Sequence, residues 1–198
     1  MRHFKRLPTP IVLVQNAEKW NRQWKSLKQQ NPGAAFNWYS HGGTRVNLII
    51  CNELKKQTQD HCSYCDAFPL GQADETIDHF KPKGNPQFLD LAYSWENLYW
   101  ACADCQKAKG EKYSDSLLRP DDQNFQFSRF FLYNYLNHTI ETNPLANDEE
   151  QEHANETLKL LDLNHKSRIT ARRHAWERWC STANKHELDD FNYRFIFS

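Results

Sequence analysis

The residues with chemistry in them gather in the middle of the chain. The stretch TIDHFKPKG, residues 76–84, brings Asp78, His79, Lys81 and Lys83 within six positions. It lies between two Cys-x-x-Cys pairs, Cys62-Ser63-Tyr64-Cys65 and Cys102-Ala103-Asp104-Cys105. An aspartate is a hard oxygen ligand suited to a divalent cation, and a neutral imidazole can take a proton from water. Side by side, they have the composition of a hydrolytic pair. They equally suit a turn aspartate followed by a partly buried ring, so the surroundings decide.

Each Cys-x-x-Cys can turn tightly and aim two thiolates at one ion, and two such turns complete a tetrahedral four-cysteine zinc site. The 36 residues between the pairs cost about 3 kcal/mol of entropy to close. A structural zinc contributes on the order of 10 kcal/mol or more near neutral pH, so the metal term wins. Zinc saturated by Cys62, Cys65, Cys102 and Cys105 has no open position and is scaffold, so any catalysis must come from neighbouring residues. Cys51 and Cys180 stand alone and read as ordinary buried thiols.

The elements that must position these residues follow from composition and pattern. A chain of 198 residues with seven Trp, eight Tyr and twelve Phe can bury a sizeable core. No run of eighteen apolar residues is present, so no membrane span is expected. The start MRHFKRLPTPIVLV lacks the long apolar region of a signal peptide, and the cysteine pattern suits a reducing compartment; both point to the cytoplasm. Net charge is zero, but residues 1–30 carry seven Lys or Arg against Glu18 alone, while acids outnumber bases from residue 115 onward. That asymmetry allows one basic face for phosphates.

Residues 7–14 read as extended. Asn16 is placed to cap a helix to about Gln30, with Trp20, Trp24 and Leu27 at helical spacing, stopped by Asn31-Pro32-Gly33. A Gly42-Gly43 turn precedes a second helix ending near Asp60. After the cysteine-rich unit, a helix over Glu149 to Leu161 puts Leu158 and Leu161 on one face. Asn164 reads as the cap of a last helix carrying Ile169, Arg173 and Trp176. The tail FNYRFIF reads as a strand or a docked extension.

The order CSYC, TIDHFKPKG and WENLYWACADCQKAKGEK resembles the HNH endonuclease motif in its zinc-stapled form, over about residues 62–112. The resemblance implies an α+β, mainly helical fold: a zinc-stapled ββα-metal core at 61–115, between a mostly helical N-terminal extension (1–60) and a helical C-terminal region (116–198). It implies a hairpin strand ending near His79 and a helix opened by Cys105, around one catalytic Mg²⁺ or Mn²⁺. On this likeness Asp78 is a ligand of that ion, His79 the base that activates water, and Asn97 the brace of the loop carrying the histidine. Many members have His or Asn directly after the last cysteine as second ligand. This chain has Gln106 there, with His61 and Asp104 as substitutes. Lys81, Lys83, Lys107, Lys109 and Lys112 fall where nucleic-acid phosphates would pass.

The outer segments MRHFKRLPTP and LLDLNHKSRITARR are similar to the PtuB-type subfamily. These HNH proteins accompany an ATPase, PtuA, in Septu anti-phage defence and in retron systems, so the likeness implies an ATPase partner and, in the retron setting, a reverse transcriptase with its RNA/DNA product. No GxxxxGK[ST] loop is present here, so nucleotide hydrolysis falls to another chain. The polymer, DNA or an RNA such as tRNA, stays open. Two other readings stand beside this one: a zinc module that binds nucleic acid or protein without cutting, and a nuclease of restriction or of a mobile element.

Overall fold

In the computed structural model, residues 1–68, 75–182 and 187–197 are described. Helix α1 spans Ile11–Gln30 and starts directly after Pro10, whose carbonyl accepts from the Leu13 and Val14 N–H groups at 2.8 and 3.0 Å. The extended reading of residues 7–14 is therefore corrected at Ile11. β-branched residues disfavour a helix only weakly, and burial of Val12 and Leu13 with Trp20 and Trp24 outweighs that preference. Asn16 lies inside the helix, its amide donating to the Val12 carbonyl at 2.9 Å.

A two-residue hairpin, β1 (Ser40–His41) with β2 (Thr44–Arg45), turns at Gly42 and Gly43, whose φ values of +57° and +80° suit glycine. Helix α2 (Val46–Thr58) buries Val46, Ile50 and Leu54 at four-residue spacing. Strands β3 (Glu75–His79) and β4 (Leu98–Cys102) pair antiparallel, with Ile77 opposite Trp100, Asp78 opposite Tyr99 and His79 opposite Leu98. Helix α3 (Ala103–Lys109) follows at once with Cys102 as its cap, so it opens at Ala103, two residues before the expected Cys105. Gly110 ends it at φ +53°, its N–H on the Gln106 carbonyl. The unit is a ββα arrangement.

Side chains alternate across a strand, and this hairpin has a hydrophobic core on each face. Ile77, Leu98 and Trp100 pack with α1 and α2 residues, among them Trp20, Trp24 and Ile50. Phe80, Tyr99 and Ala101 pack with Tyr64, Leu117 and the C-terminal half, including Leu161 and Phe195. That half comprises α4 (Phe127–Phe130), the hairpin β5 (Phe131–Tyr133) with β6 (Ile140–Thr142), α5 (Asp148–Leu160) and α6 (Lys166–Ser181). Asn147 and Glu150 cap α5 reciprocally. His165, not Asn164, caps α6; Asn164 instead bridges to both the N–H and the carbonyl of Ile140.

The tail is docked rather than a strand. Its buried Arg194 grips Asp66 at 2.7 Å, just after the first cysteine pair. Cys51 is half-buried and Cys180 exposed, so neither is a core thiol. Among the described residues no helix is long and apolar enough to cross a membrane.

Candidate active site

The two cysteine turns meet. One sulfur from each of Cys62, Cys65, Cys102 and Cys105 lies within 4.8 Å of the others. A tetrahedron of ~2.3 Å zinc–sulfur bonds has edges of about 3.8 Å, and Cys65 Sγ stands 3.7 Å from Cys102 Sγ. Backbone N–H groups point at the sulfurs, Cys102 N at Cys62 Sγ (3.3 Å) and Cys105 N at Cys102 Sγ (3.5 Å). Hydrogen bonds from Cys102, Cys105 and Cys62 hold the Cys65 thiol well below its ordinary range, while burial pushes Cys105 well up. Four sulfurs gathered at this spacing suit one cation, and the donor set fits zinc. Buried Arg168 of α6 adds a positive charge close by; its guanidinium donates to the Leu161 carbonyl at 2.5 Å and is held charged by the neighbouring sulfurs.

Asp78 and His79 end β3 and face opposite ways. The Asp78 carboxylate, buried on the α3 side, accepts from the Tyr64 hydroxyl at 2.7 Å and from the Lys109 ammonium at 3.1 Å, both on Oδ2. Burial raises its pKa against the pull of Lys109 and Tyr64. A carboxylate offers about four lone-pair positions, so these two bonds leave room for an ion. Gln106, one helical turn before Lys109, donates its Nε2 to the Ile77 carbonyl at 3.1 Å and keeps its amide oxygen as an acceptor. Asp78 and Gln106 thus offer the hard oxygens that Mg²⁺ or Mn²⁺ prefers. The substitutes do not compete: both ring nitrogens of His61 face backbone carbonyls, of Gln59 and Phe191, and Asp104 is exposed on α3.

His79 lies on the other face, 5% exposed. Its Nε2 is 2.9 Å from the Ala92 carbonyl, which fixes the proton there and leaves Nδ1 as the acceptor. Burial, with the Lys83 ammonium, lowers its pKa to about 3, so the ring is neutral at physiological pH. Trp38 stacks on it with ring centroids 5.8 Å apart, and Phe36 meets it edge-on at 5.3 Å. Asn97, in the turn Trp95–Asn97 before β4, accepts from Lys81 N at 2.7 Å. It donates to the Lys81 and Leu91 carbonyls at 3.0 Å each. The turn after His79 is thereby clamped.

Residues 62–112 match the family model described as HNH endonuclease. This segment is an HNH endonuclease domain. The chain is also 31% identical over 75 residues to the Septu protein PtuB of Bacillus mycoides (strain KBAB4), covering 32% of this chain and 25% of that protein. It therefore spans about a quarter of the length of the curated relative it matches.

Within the HNH domain the five lysines divide. Lys107 and Lys112 are exposed, and Lys81 and Lys83 half-exposed. Lys109 is fully buried, its ammonium 2.6 Å from the His79 carbonyl as well as on Asp78. It is withdrawn from the phosphate-contacting set, because a cation enclosed between a carboxylate and a carbonyl has no surface to offer. The basic N-terminus divides too. Arg6 turns inward, binding Asp121 at 2.6 Å and the carbonyls of Trp95 and Leu98 at 2.8 and 3.0 Å. Sequence reasoning missed Tyr64 and the Phe36–Trp38 pair, and gave Lys109 a phosphate-contacting role in place of its ion pair with Asp78. Only Tyr64, enclosed in the first cysteine turn, carried a positional signal.

Proposed function

We propose that this chain is a metal-dependent HNH endonuclease that hydrolyses nucleic-acid phosphodiester bonds, as the nuclease effector of an anti-phage defence pair acting with a partner ATPase. The observation that carries the reading is the state of His79: a neutral imidazole with its tautomer fixed by Ala92, next to a carboxylate on the strand that the family match covers. A Mg²⁺ or Mn²⁺ held by Asp78 and Gln106 would supply charge neutralisation at the scissile phosphate and the leaving oxygen. His79 Nδ1 takes the proton of the attacking water. Asn97 keeps the turn behind the histidine from slackening, through its bonds to Lys81. Lys81, Lys83, Lys107 and Lys112 attract the phosphate backbone, which positions the substrate without reading its sequence. The likeness to the Septu protein PtuB supports the defence setting. The ATPase, and a retron reverse transcriptase with its nucleic-acid product, belong to this proposal through the sequence resemblance to the PtuB type alone.

The test is a cleavage assay on labelled DNA and on total tRNA with Mg²⁺ or Mn²⁺, for wild type and His79→Ala, each alone and with the ATPase. Cleavage by wild type that falls by about 10²–10⁴ in the variant, with zinc content unchanged, supports the reading and identifies the polymer. A second reading, a zinc module that binds without cutting, is favoured by two observations: Gln106 follows the last cysteine, and Lys109 and Tyr64 already hold Asp78. Under it, wild type and variant bind nucleic acid alike and neither cuts.

A further inference from the structure

Residues 31–39 cross the HNH domain as a strap without helix or strand, apart from a turn at Pro32–Gly33. Phe36 and Trp38 point inward from it. Phe36 meets Trp24 at 5.2 Å and Tyr93 at 5.2 Å between centroids, and Trp38 meets Tyr93 at 5.5 Å. Both touch His79. Hydrogen bonds anchor the ends, Ala34 N on the Asn31 carbonyl and Val46 N on the Tyr39 carbonyl, each 2.9 Å. In between, the Tyr93 hydroxyl donates to the Asn37 carbonyl at 2.7 Å. The strap is therefore held largely by ring packing, which can release as one unit.

A general base must come within about 3 Å of the proton it removes. His79 is 5% exposed, with one nitrogen committed to Ala92, one face under Trp38 and an edge against Phe36. A phosphodiester and its attacking water have no approach to a ring so enclosed. We propose that the Phe36–Trp38 strap is an autoinhibitory lid, and that the described conformation is the closed state of the nuclease. Substrate or partner binding opens it by peeling Trp38 from His79. The inference rests on His79 being the base.

The test reads accessibility directly, apart from cleavage. Diethylpyrocarbonate modifies neutral imidazoles, and mass spectrometry of peptides reports each histidine separately. Exposed His3 and His41 serve as internal references. In the wild-type chain His79 should react far more slowly than either. Trp38→Ala should raise its rate by roughly tenfold or more, as the open population grows. Tyr93→Phe, which keeps the ring and removes only the bond to Asn37, should raise it with the fold and zinc content intact. Wild-type His79 reacting as fast as His41, or a rate unmoved by both substitutions, overturns the lid.

Cleavage by the same proteins separates the two readings. With the lid present and His79 the base, Trp38→Ala cuts faster than wild type when each is alone. If Trp38→Ala exposes His79 and no form cuts any polymer, even with the ATPase, the nuclease reading falls while the lid stands as an accessibility device. If wild type cuts at least as fast as Trp38→Ala when both are alone, the inhibitory role is overturned.

Discussion

The Lys109 ammonium and the Asp78 carboxylate form an ion pair at 3.1 Å, with side chains 0% and 5% exposed. The same ammonium reaches the His79 carbonyl at 2.6 Å. One buried cation from α3 therefore ties down the end of β3 where both proposed catalytic residues sit. Removing one partner of such a pair leaves an uncompensated buried charge, which typically costs about 3–5 kcal/mol. Lys109→Met is expected to destabilise the domain by that order in urea unfolding, and adding Asp78→Asn should restore part of the loss. Lys107→Ala, two residues from Lys109 on the opposite side of α3 and exposed, should change stability by no more than about 0.5 kcal/mol while weakening nucleic-acid binding and flattening its salt dependence.

The zinc centre predicts a different failure. Cys102→Ser is expected to lose the metal, measured as zinc per chain, and with it several kcal/mol, since binding energy at a structural site is folding energy (~10 kcal/mol or more). Arg168→Leu keeps all four ligands but removes the cation beside them. It should lose zinc to a chelator faster than wild type.

Asn97 is 5% exposed and makes three side-chain bonds, to Lys81 N, Lys81 O and Leu91 O. Asn97→Ala strands all three groups and should cost roughly 3 kcal/mol. Asn97→Asp should do no better, because its second oxygen would face the two carbonyls that now accept from Nδ2. Urea midpoints for both variants check this. A cleavage rate that falls in parallel would connect the clamp to His79.

Acid stability should report on Asp121. Burial alone would raise its pKa, but Arg6, Arg119 and Tyr99 outweigh burial and hold it below the ordinary carboxylate value. A depressed folded pKa means that the unfolded chain binds the proton more readily. The stabilisation is complete above the unfolded value of about 3.9 and is lost as pH falls through the folded value. Asp121→Asn should cost roughly 2–3 kcal/mol at pH 7, and thermal melts should show that gap narrowing below about pH 4.

The sequence by itself determined whatever depends on short spacing. Two Cys-x-x-Cys turns are nearly complete metal half-sites as written, and the resemblance of their order around TIDHFKPKG and Asn97 to the HNH motif implied the ββα unit. Period two in a strand already requires Asp78 and His79 to point apart. The helix read over Glu149 to Leu161 from Leu158 and Leu161 on one face is found at Asp148–Leu160. What covers each face is a non-local matter, and tertiary structure alone decided it. Lys109 and Arg6 resemble solvated bases in sequence; each is turned inward by partners far away in the chain, Asp78 for Lys109 and Asp121 for Arg6. The start of α1 ran against local preference because Val12 and Leu13 gain more by burial. The Phe36–Trp38 strap came to lie on His79 from more than forty residues away. No local pattern encodes such a contact, because its energy comes from apolar surface that exists only once both segments are folded.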